Sequence, residues 1–330
     1  MRLLFVADPL ESFKPYKDST FAMMREAAKR GHTLMACEPK DLRWQSGEPV
    51  TGFVRDIELS GRTDADWFRA AQQRPDERPQ PLCEVDAVLM RKDPPFDPEY
   101  IYATHLLGQA QREGARVFND PQALRNHPEK LAILEFAEHI APTLVTRDPA
   151  DIRRFHAEHR DIILKPLDGM GGMGIFRVGA DGLNLGSIVE TLNRGGAATV
   201  MVQRYLPEIA QGDKRVLIID GVPVPQVLAR IPQGSEIRGN LAAGGKGVAQ
   251  PLAEEDRRIA EAIGPVLAAR GLLLVGLDLI GQCITEINVT SPTCFQEITD
   301  QTGVDVAAIF VDALERRLHP VAAPPRNTPA

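Results

Sequence analysis

The chain opens on an apolar run, residues 2–7, that stops at Asp8 and reads as a buried strand. Asp18-Ser19-Thr20 offers helix caps, and residues 21–30 keep helical spacing up to Gly31. Residues 33–37 predict a second strand. Turn signals at Ser46-Gly47 and Gly61 place a hairpin excursion over 42–60, and a proline cluster makes 74–81 a loop. A strand at 85–90, a helix at 98–114 and a strand at 115–119 complete an alternation that implies a parallel sheet with helices on its faces. The middle of the chain changes character. A helical segment at 128–136, an extended stretch at 143–146 and a helix at 149–159 lead to a strand at 161–165. A glycine loop at 169–174, an extended run at 175–178 and a helix at 184–192 follow, giving a small mixed α/β unit. The last third predicts long strands at 199–205, 214–220, 224–230, 272–280 and 284–289, with helices at 252–269 and 303–318. The pattern divides the chain into 1–123, 124–200 and 201–318. The proline-rich tail, 319–330, lacks periodicity and is expected to be disordered.

Composition narrows the function classes. The chain has 330 residues, with 38 Lys plus Arg against 45 Asp plus Glu and a net charge of −7. That balance lacks the broad basic surface that binds nucleic acid or anionic membrane, so neither is expected as a partner. No apolar run approaches the ~20 residues of a membrane helix, and the first is too short for an export signal. Cys37, Cys83, Cys283 and Cys294 form no CxxC pair, so they read as reduced thiols in a cytoplasmic protein.

Two segments carry candidate chemistry. Gly169-Met170-Gly171-Gly172-Met173-Gly174 satisfies G-x-G-x-x-G, but an extended run follows it where a dinucleotide fold needs a helix. No Lys-Ser or Lys-Thr follows, which excludes a Walker A loop. What remains is a glycine hairpin, either a plain mobile tip or a cradle for phosphates. Lys165, ending the strand before it, suits the second reading. The other segment holds Asp278, Glu286 and Asn288. Glu286 and Asn288 share a strand face. A three-residue connection, 281–283, sets Asp278 opposite Glu286, whereas a two-residue one turns it to the other face. Three oxygen donors in an apolar hairpin suit Mg²⁺, with a solvated hairpin face as the alternative.

The chain resembles the prokaryotic glutathione synthetase family of ATP-grasp ligases over about residues 2–318. The likeness rests on Lys165-Pro166-Leu167-Asp168-Gly169-Met170-Gly171-Gly172 and on Glu286-Ile287-Asn288-Val289-Thr290-Ser291-Pro292-Thr293. Met90-Arg91-Lys92-Asp93-Pro94-Pro95-Phe96-Asp97, Ala229-Arg230-Ile231-Pro232-Gln233-Gly234 and Arg238-Gly239-Asn240-Leu241-Ala242-Ala243-Gly244-Gly245 extend it. Met173-Gly174 at the loop tip departs from the family pattern. The resemblance implies an α/β chain with an ATP-grasp fold preceded by a Rossmann-like parallel-sheet domain. The glycine loop falls in its small subdomain, the metal site in its larger one.

It further implies ATP-dependent joining of γ-glutamylcysteine and glycine through an acyl phosphate, in a homotetramer. Lys130, Lys165, Gly169, Gly171 and Gly172 would meet the ATP phosphates. Gln203, Arg204, Tyr205 and Leu206 would hold adenine, and Asp213 the ribose or substrate. Asp278, Glu286 and Asn288 would bind Mg²⁺, with Mn²⁺ as the alternative. Arg215, Arg230 and Arg238 would supply catalytic charge, and Lys17, Ser19, Arg91, Ser291 and Thr293 would line the peptide site. Residues 231–248, rich in glycine, suit a lid over an intermediate that water would destroy. Two other readings stay open: a neighbouring ATP-grasp ligase with other substrates, and a nucleotide-binding regulator without turnover.

Overall fold

The computed structural model describes residues 1–60, 66–70 and 79–319. Most of the tail and most of the 74–81 loop lie outside them.

The first sheet centres on β1 (Arg2–Val6), whose last four residues are buried. β1 pairs in parallel with β2 (Thr33–Cys37) on one side. The strand that carries the site's first loop, β5 (Ala87–Met90), lies on its other side. A strand buried on both faces needs no alternation, which is why these segments read as continuous apolar runs. Two antiparallel strands, β3 (Arg55–Leu59) and β4 (Phe68–Ala70), extend one edge, and β6 (Val117–Phe118) closes the other. Short strands at Leu42–Arg43, Thr51–Gly52 and Gln80–Pro81 form a separate small sheet, so the excursion expected over 42–60 keeps only its first part, Arg55–Leu59 joins the first sheet, and the 80–81 end of the expected loop is a strand. Helices α1 (Ser19–Lys29) and α2 (Pro98–Arg112) start at Asp18 and Asp97, whose carboxylates accept the Phe21 and Tyr100 N–H groups.

The second sheet has the order β7–β10–β8–β9, formed by Thr143–Thr146, Val200–Arg204, Ile162–Pro166 and Phe176–Val178. All its pairings are antiparallel. The third, also antiparallel, runs β13–β12–β11–β14–β15. Its strands are β11 (Asp213–Ile219), β12 (Val222–Ile231), β13 (Lys246–Pro251), β14 (Leu274–Ile280) and β15 (Cys283–Asn288).

Three expectations change. Lys246–Val248 belong to β13 and not to the lid, because their backbone is spent on pairing with β12, Ile231 against Lys246 among others. The helix expected at 303–318 is Val306–Leu318, and an unexpected helix, Phe295–Thr302, precedes it and ends at Gly303 with φ +74. The 128–136 segment is a 3₁₀ stretch, Ala132–His139, kinked at Phe136. Tertiary bonds claim the backbone just before it: the Ile287 N–H donates to the Glu129 carbonyl at 3.0 Å.

Asn119 ties the first sheet to the third. Its amide nitrogen donates to the Leu274 and Val289 carbonyls at 2.8 and 2.9 Å, and its oxygen accepts the Leu274 N–H at 2.9 Å. Both ends of the β14–β15 hairpin are thereby fixed against the carboxyl end of a parallel strand, where open α/β sheets place their sites.

Candidate active site

The β14–β15 hairpin decides which carboxylates meet. Ile280 pairs with Cys283, so the turn holds two residues. That alone would turn Asp278 away from Glu286. A bulge between Asp278 and Leu279 restores the face: Leu279 pairs with Ile284, yet Asp278 pairs with Glu286. The expected juxtaposition holds, by a different route from a three-residue connection.

Asp278, 2% exposed, is the hub of the charge network. Arg215 Nε donates to its Oδ1 at 2.6 Å and Arg215 Nη2 to its Oδ2 at 3.1 Å. Arg230 Nη2 stands 2.9 Å from the same Oδ2 and donates to Asp213 Oδ2 at 2.6 Å. Burial raises the Asp278 pKa, but the two guanidinium groups overcome that and hold the carboxyl well below the usual range. Gly276 makes room for this pair, since a Cβ there would sit 2.9 Å from Arg215 Cδ. Asp213 has the opposite fate. Burial, together with Asp278, pushes it up to about 6 against the pull of Arg230. Its Oδ1 is buried and without a hydrogen-bond partner.

Two lysines approach from the second sheet and its leading segment. Lys165, one residue before the end of β8, donates to the Thr285 carbonyl at 2.9 Å, and burial pulls its pKa down to about 8. Lys130 pairs with Glu286 Oε1 at 2.8 Å and donates to the Gly169 carbonyl at 2.5 Å, joining the glycine loop to β15.

A cavity opens over these groups. Lys130, Lys165, Gly169, Gly171, Gly172, Gln203, Arg204, Tyr205, Leu206, Asp213, Arg238, Asp278 and Glu286 all line it. Ala141, Ile163, Ile175, Ile209 and Ile280 supply apolar wall. Gln203 is fixed by its bond to Thr143 Oγ1 at 2.9 Å, and the Arg177 guanidinium lies 3.6 Å from the Tyr205 ring centroid. Arg238 spans the lid and the glycine loop. It donates to the Gly172 carbonyl at 3.1 Å and grips Glu236 through two bonds, which hold that carboxyl down at about 2. Gly172, at φ +84, must be glycine for this closure, because a Cβ would meet Asn240 Oδ1 at 2.7 Å.

A second cavity adjoins the first. Gly169, Gly171, Asn240 and Glu286 line both. Arg215, Arg230, Asn288, Ser291, Thr293 and Cys294 face the second. The remaining expected peptide residues are not brought to that wall. Ser19 is 1% exposed, its hydroxyl taken by the Phe295 N–H at 3.2 Å. Arg91 is buried behind the wall, donating to Thr20 Oγ1 and the Pro292 carbonyl at 3.0 and 3.1 Å. Lys17 is exposed, its ammonium 5.9 Å from the Tyr16 ring centroid. Conversely, Glu129, Asp93 and Asn240 line the site without having been singled out. Glu129 stands beside Lys130 and Asn240 falls in a quoted motif, but no spacing marks a lone Glu at a turn.

Among the described residues, no cluster of three or more His, Cys, Asp or Glu side chains is arranged to hold a metal. Asp278, Glu286 and Asn288 supply two carboxylates and one amide. Asn288 Nδ2 donates to the Gly276 carbonyl at 3.1 Å, which leaves Oδ1 as the free donor atom. This hard oxygen set fits a divalent cation of the Mg²⁺ type, whose shell is completed by substrate phosphates rather than by an all-protein cage.

A mixed sheet with a parallel centre, followed by two antiparallel sheets around a shared cavity, is the architecture of the ATP-grasp ligases. Solved structures share this fold. The D-cycloserine synthetase DcsG superposes with a TM-score of 0.67 at 19% identity, over 96% of this chain and 100% of that one. The ATP-grasp ligase PsnB gives 0.59 at 20%, over 96% and 98%. The family models for prokaryotic glutathione synthetase match residues 1–125 (N-terminal domain) and 129–303 (ATP-grasp domain). The chain belongs to the prokaryotic glutathione synthetase family. It is 61% identical to the glutathione synthetase of Ralstonia nicotianae over 96% of both chains. It is 55% identical to that of Nitrosomonas europaea over 96% of this chain and 98% of the other. No described helix is long and apolar enough to cross a membrane.

Proposed function

We propose that the protein joins the cysteinyl carboxylate of γ-glutamylcysteine to the amine of glycine, consuming ATP and releasing ADP and phosphate. The observation that carries this reading is the seam at which the two cavities share Gly169, Gly171, Asn240 and Glu286, with two buried arginines on the peptide side. A carboxylate repels an amine and is a poor electrophile. Transfer of the γ-phosphoryl group makes it an acyl phosphate, which the amine attacks as phosphate leaves.

Two anions must first be pressed together. At ~4 Å and an effective dielectric of about 20, each unit-charge pair amounts to about 4 kcal/mol. In this reading Lys130 and Lys165 hold the phosphates. Arg215 and Arg230 hold the donor carboxylate and the charge that spreads as it reacts. Asp213 accepts from the ribose or the substrate, giving its orphan oxygen a partner. Asp278, Glu286 and Asn288 would hold Mg²⁺ or Mn²⁺, which when bound neutralises phosphate oxygens. The lid, latched by Arg238, excludes water from the acyl phosphate.

Incubation with ATP, Mg²⁺, γ-glutamylcysteine and glycine, read by mass detection of the tripeptide, tests the proposal. Product and ADP should appear together and require both substrates. ATP binding without turnover would favour the regulator, and turnover with other carboxylates or amines alone would favour a different ligase. Light scattering tests the homotetramer.

A further inference from the structure

The second sheet turns one row of side chains toward the nucleotide cavity. Ile163 on β8 pairs with Gln203 on β10, and Gln203 pairs in turn with Thr143 on β7. Directly paired residues share a face of the sheet. Ile163 and Gln203 line the cavity, and so does Lys165, two positions along β8 and therefore on the same face. Thr143 stands behind them, outside the cavity lining.

That row gives the Gln203 amide a fixed polarity. The Thr143 hydroxyl lies 2.7 Å from the Ala141 carbonyl, which can only accept, so the hydroxyl proton is spent there. Toward the Gln203 amide, 2.9 Å away, the same hydroxyl can then only accept, and the group facing it must be the Nε2 amine. A turned-over amide would set two lone-pair oxygens against each other. Gln203 is 5% exposed, so water offers little compensation for such a clash. Its Oε1 is thereby left for the cavity. Among the described residues no donor meets that oxygen, and it is open rather than sealed.

This inference rests on the nucleotide site of the function proposed above and deepens it. With Lys165 at the phosphates, the Ile163–Gln203 pair falls to the base. A 6-aminopurine presents a donor at C6, and a 6-oxopurine presents an acceptor at the same place. We propose that Thr143 is a positioning residue that fixes Gln203 Oε1 toward the 6-substituent of the base, so that the site selects 6-aminopurine nucleotides over 6-oxopurine ones. A 6-oxopurine sets its carbonyl oxygen against Oε1, and the Thr143 hydroxyl bars the amide from turning over to meet it.

Calorimetric titration with ADP and with IDP, its 6-oxopurine counterpart, in wild type, T143V, T143S and Q203L tests this. Wild type should bind ADP at least about tenfold more tightly than IDP, because the wrong base leaves two buried acceptors unpaired. T143V keeps the side-chain shape and removes the hydroxyl. Its ratio should fall to about threefold or less, chiefly through tighter IDP binding, as the freed amide turns Nε2 to the carbonyl. T143S, which restores the hydroxyl, should hold the wild-type ratio to within about twofold. Q203L should lose the ratio from the other side, through weaker ADP binding. A ratio unmoved in T143V overturns the inference. So does an equal loss of affinity for both nucleotides, which is what a purely structural contact gives. Should T143V fail to fold by circular dichroism, T143A carries the same test. A wild type that binds neither nucleotide sinks the functional proposal itself, whereas ADP and IDP bound alike sink only the role of Thr143.

Discussion

The two cavities share a wall and differ in their charge design. The nucleotide side offers apolar surface, glycine backbone and two buried lysines, one of them depressed to about 8 by burial, and the carboxylates of Asp213, Asp278 and Glu286 are also in its lining. The peptide side offers charges of both signs at close quarters: two arginines bound to Asp278, and the carboxylates of Asp93, Glu129 and Glu286. The contrast fits the ligands proposed for each side. A triphosphate presents one sign of charge and a flat apolar base, which would be met by cations, greasy walls and carboxylates able to hold a divalent ion. A zwitterionic peptide presents both signs, and each must find its opposite.

The comparison breaks most severely at Arg230. Arg230→Ala strands the buried carboxylate of Asp213 and leaves that of Asp278 to Arg215 alone. We expect a loss of about 3–5 kcal/mol in chemical denaturation and at least about 10³-fold in turnover. Retained turnover would remove Arg230 from the reaction. Glu286→Ala acts on the shared wall. The expected result is a turnover loss of about 10²-fold or more with the fold kept by circular dichroism, and unchanged turnover would remove the metal assignment.

A pH series sharpens the nucleotide side. The folded pKa of Lys165, about 8, lies below its ordinary 10.5. The unfolded chain therefore binds the extra proton between these values, and this group's contribution to ligand-free stability grows as pH rises from about 8 to 10.5. ADP affinity should move oppositely, falling up to about tenfold per pH unit above pH 8 as the ammonium is lost. Calorimetry across that window checks both signs, and Lys165→Met should abolish the affinity trend. The smallest effect belongs to the lid. Arg238→Ala removes the latch to Gly172, and we expect turnover to fall about three- to tenfold with a larger share of ATP hydrolysed without product. A fully coupled variant would show that the latch does not guard the intermediate.

Much of the frame was legible along the chain. Thr33–Cys37, Thr143–Thr146 and Pro149–His159 have the bounds their patterns predict, because apolar periodicity and an Asp cap act locally. Lys246–Pro251 was missed, because Gly247 and Pro251 mask a strand that exists only by pairing with its neighbour. Of the expected site residues, those on β8, β11, β12, β14 and β15 converge. Ser19, Arg91 and Lys17 do not reach the cavity walls, since side-chain direction there depends on how the first sheet packs against the 291–295 loop.

The order of residues by itself determined the element types, the family and the oxygen- and nitrogen-bearing side chains available for chemistry. Local propensity, hydrophobic period and motif identity are written in neighbouring positions. Only the tertiary structure decided that a bulge sets Asp278 against Glu286, that two arginines share one carboxylate, and that Asp93 and Glu129 line the same cavity as Arg215 and Arg230. Those relations join segments far apart in the chain, and burial and register between sheets cannot be read from either partner alone.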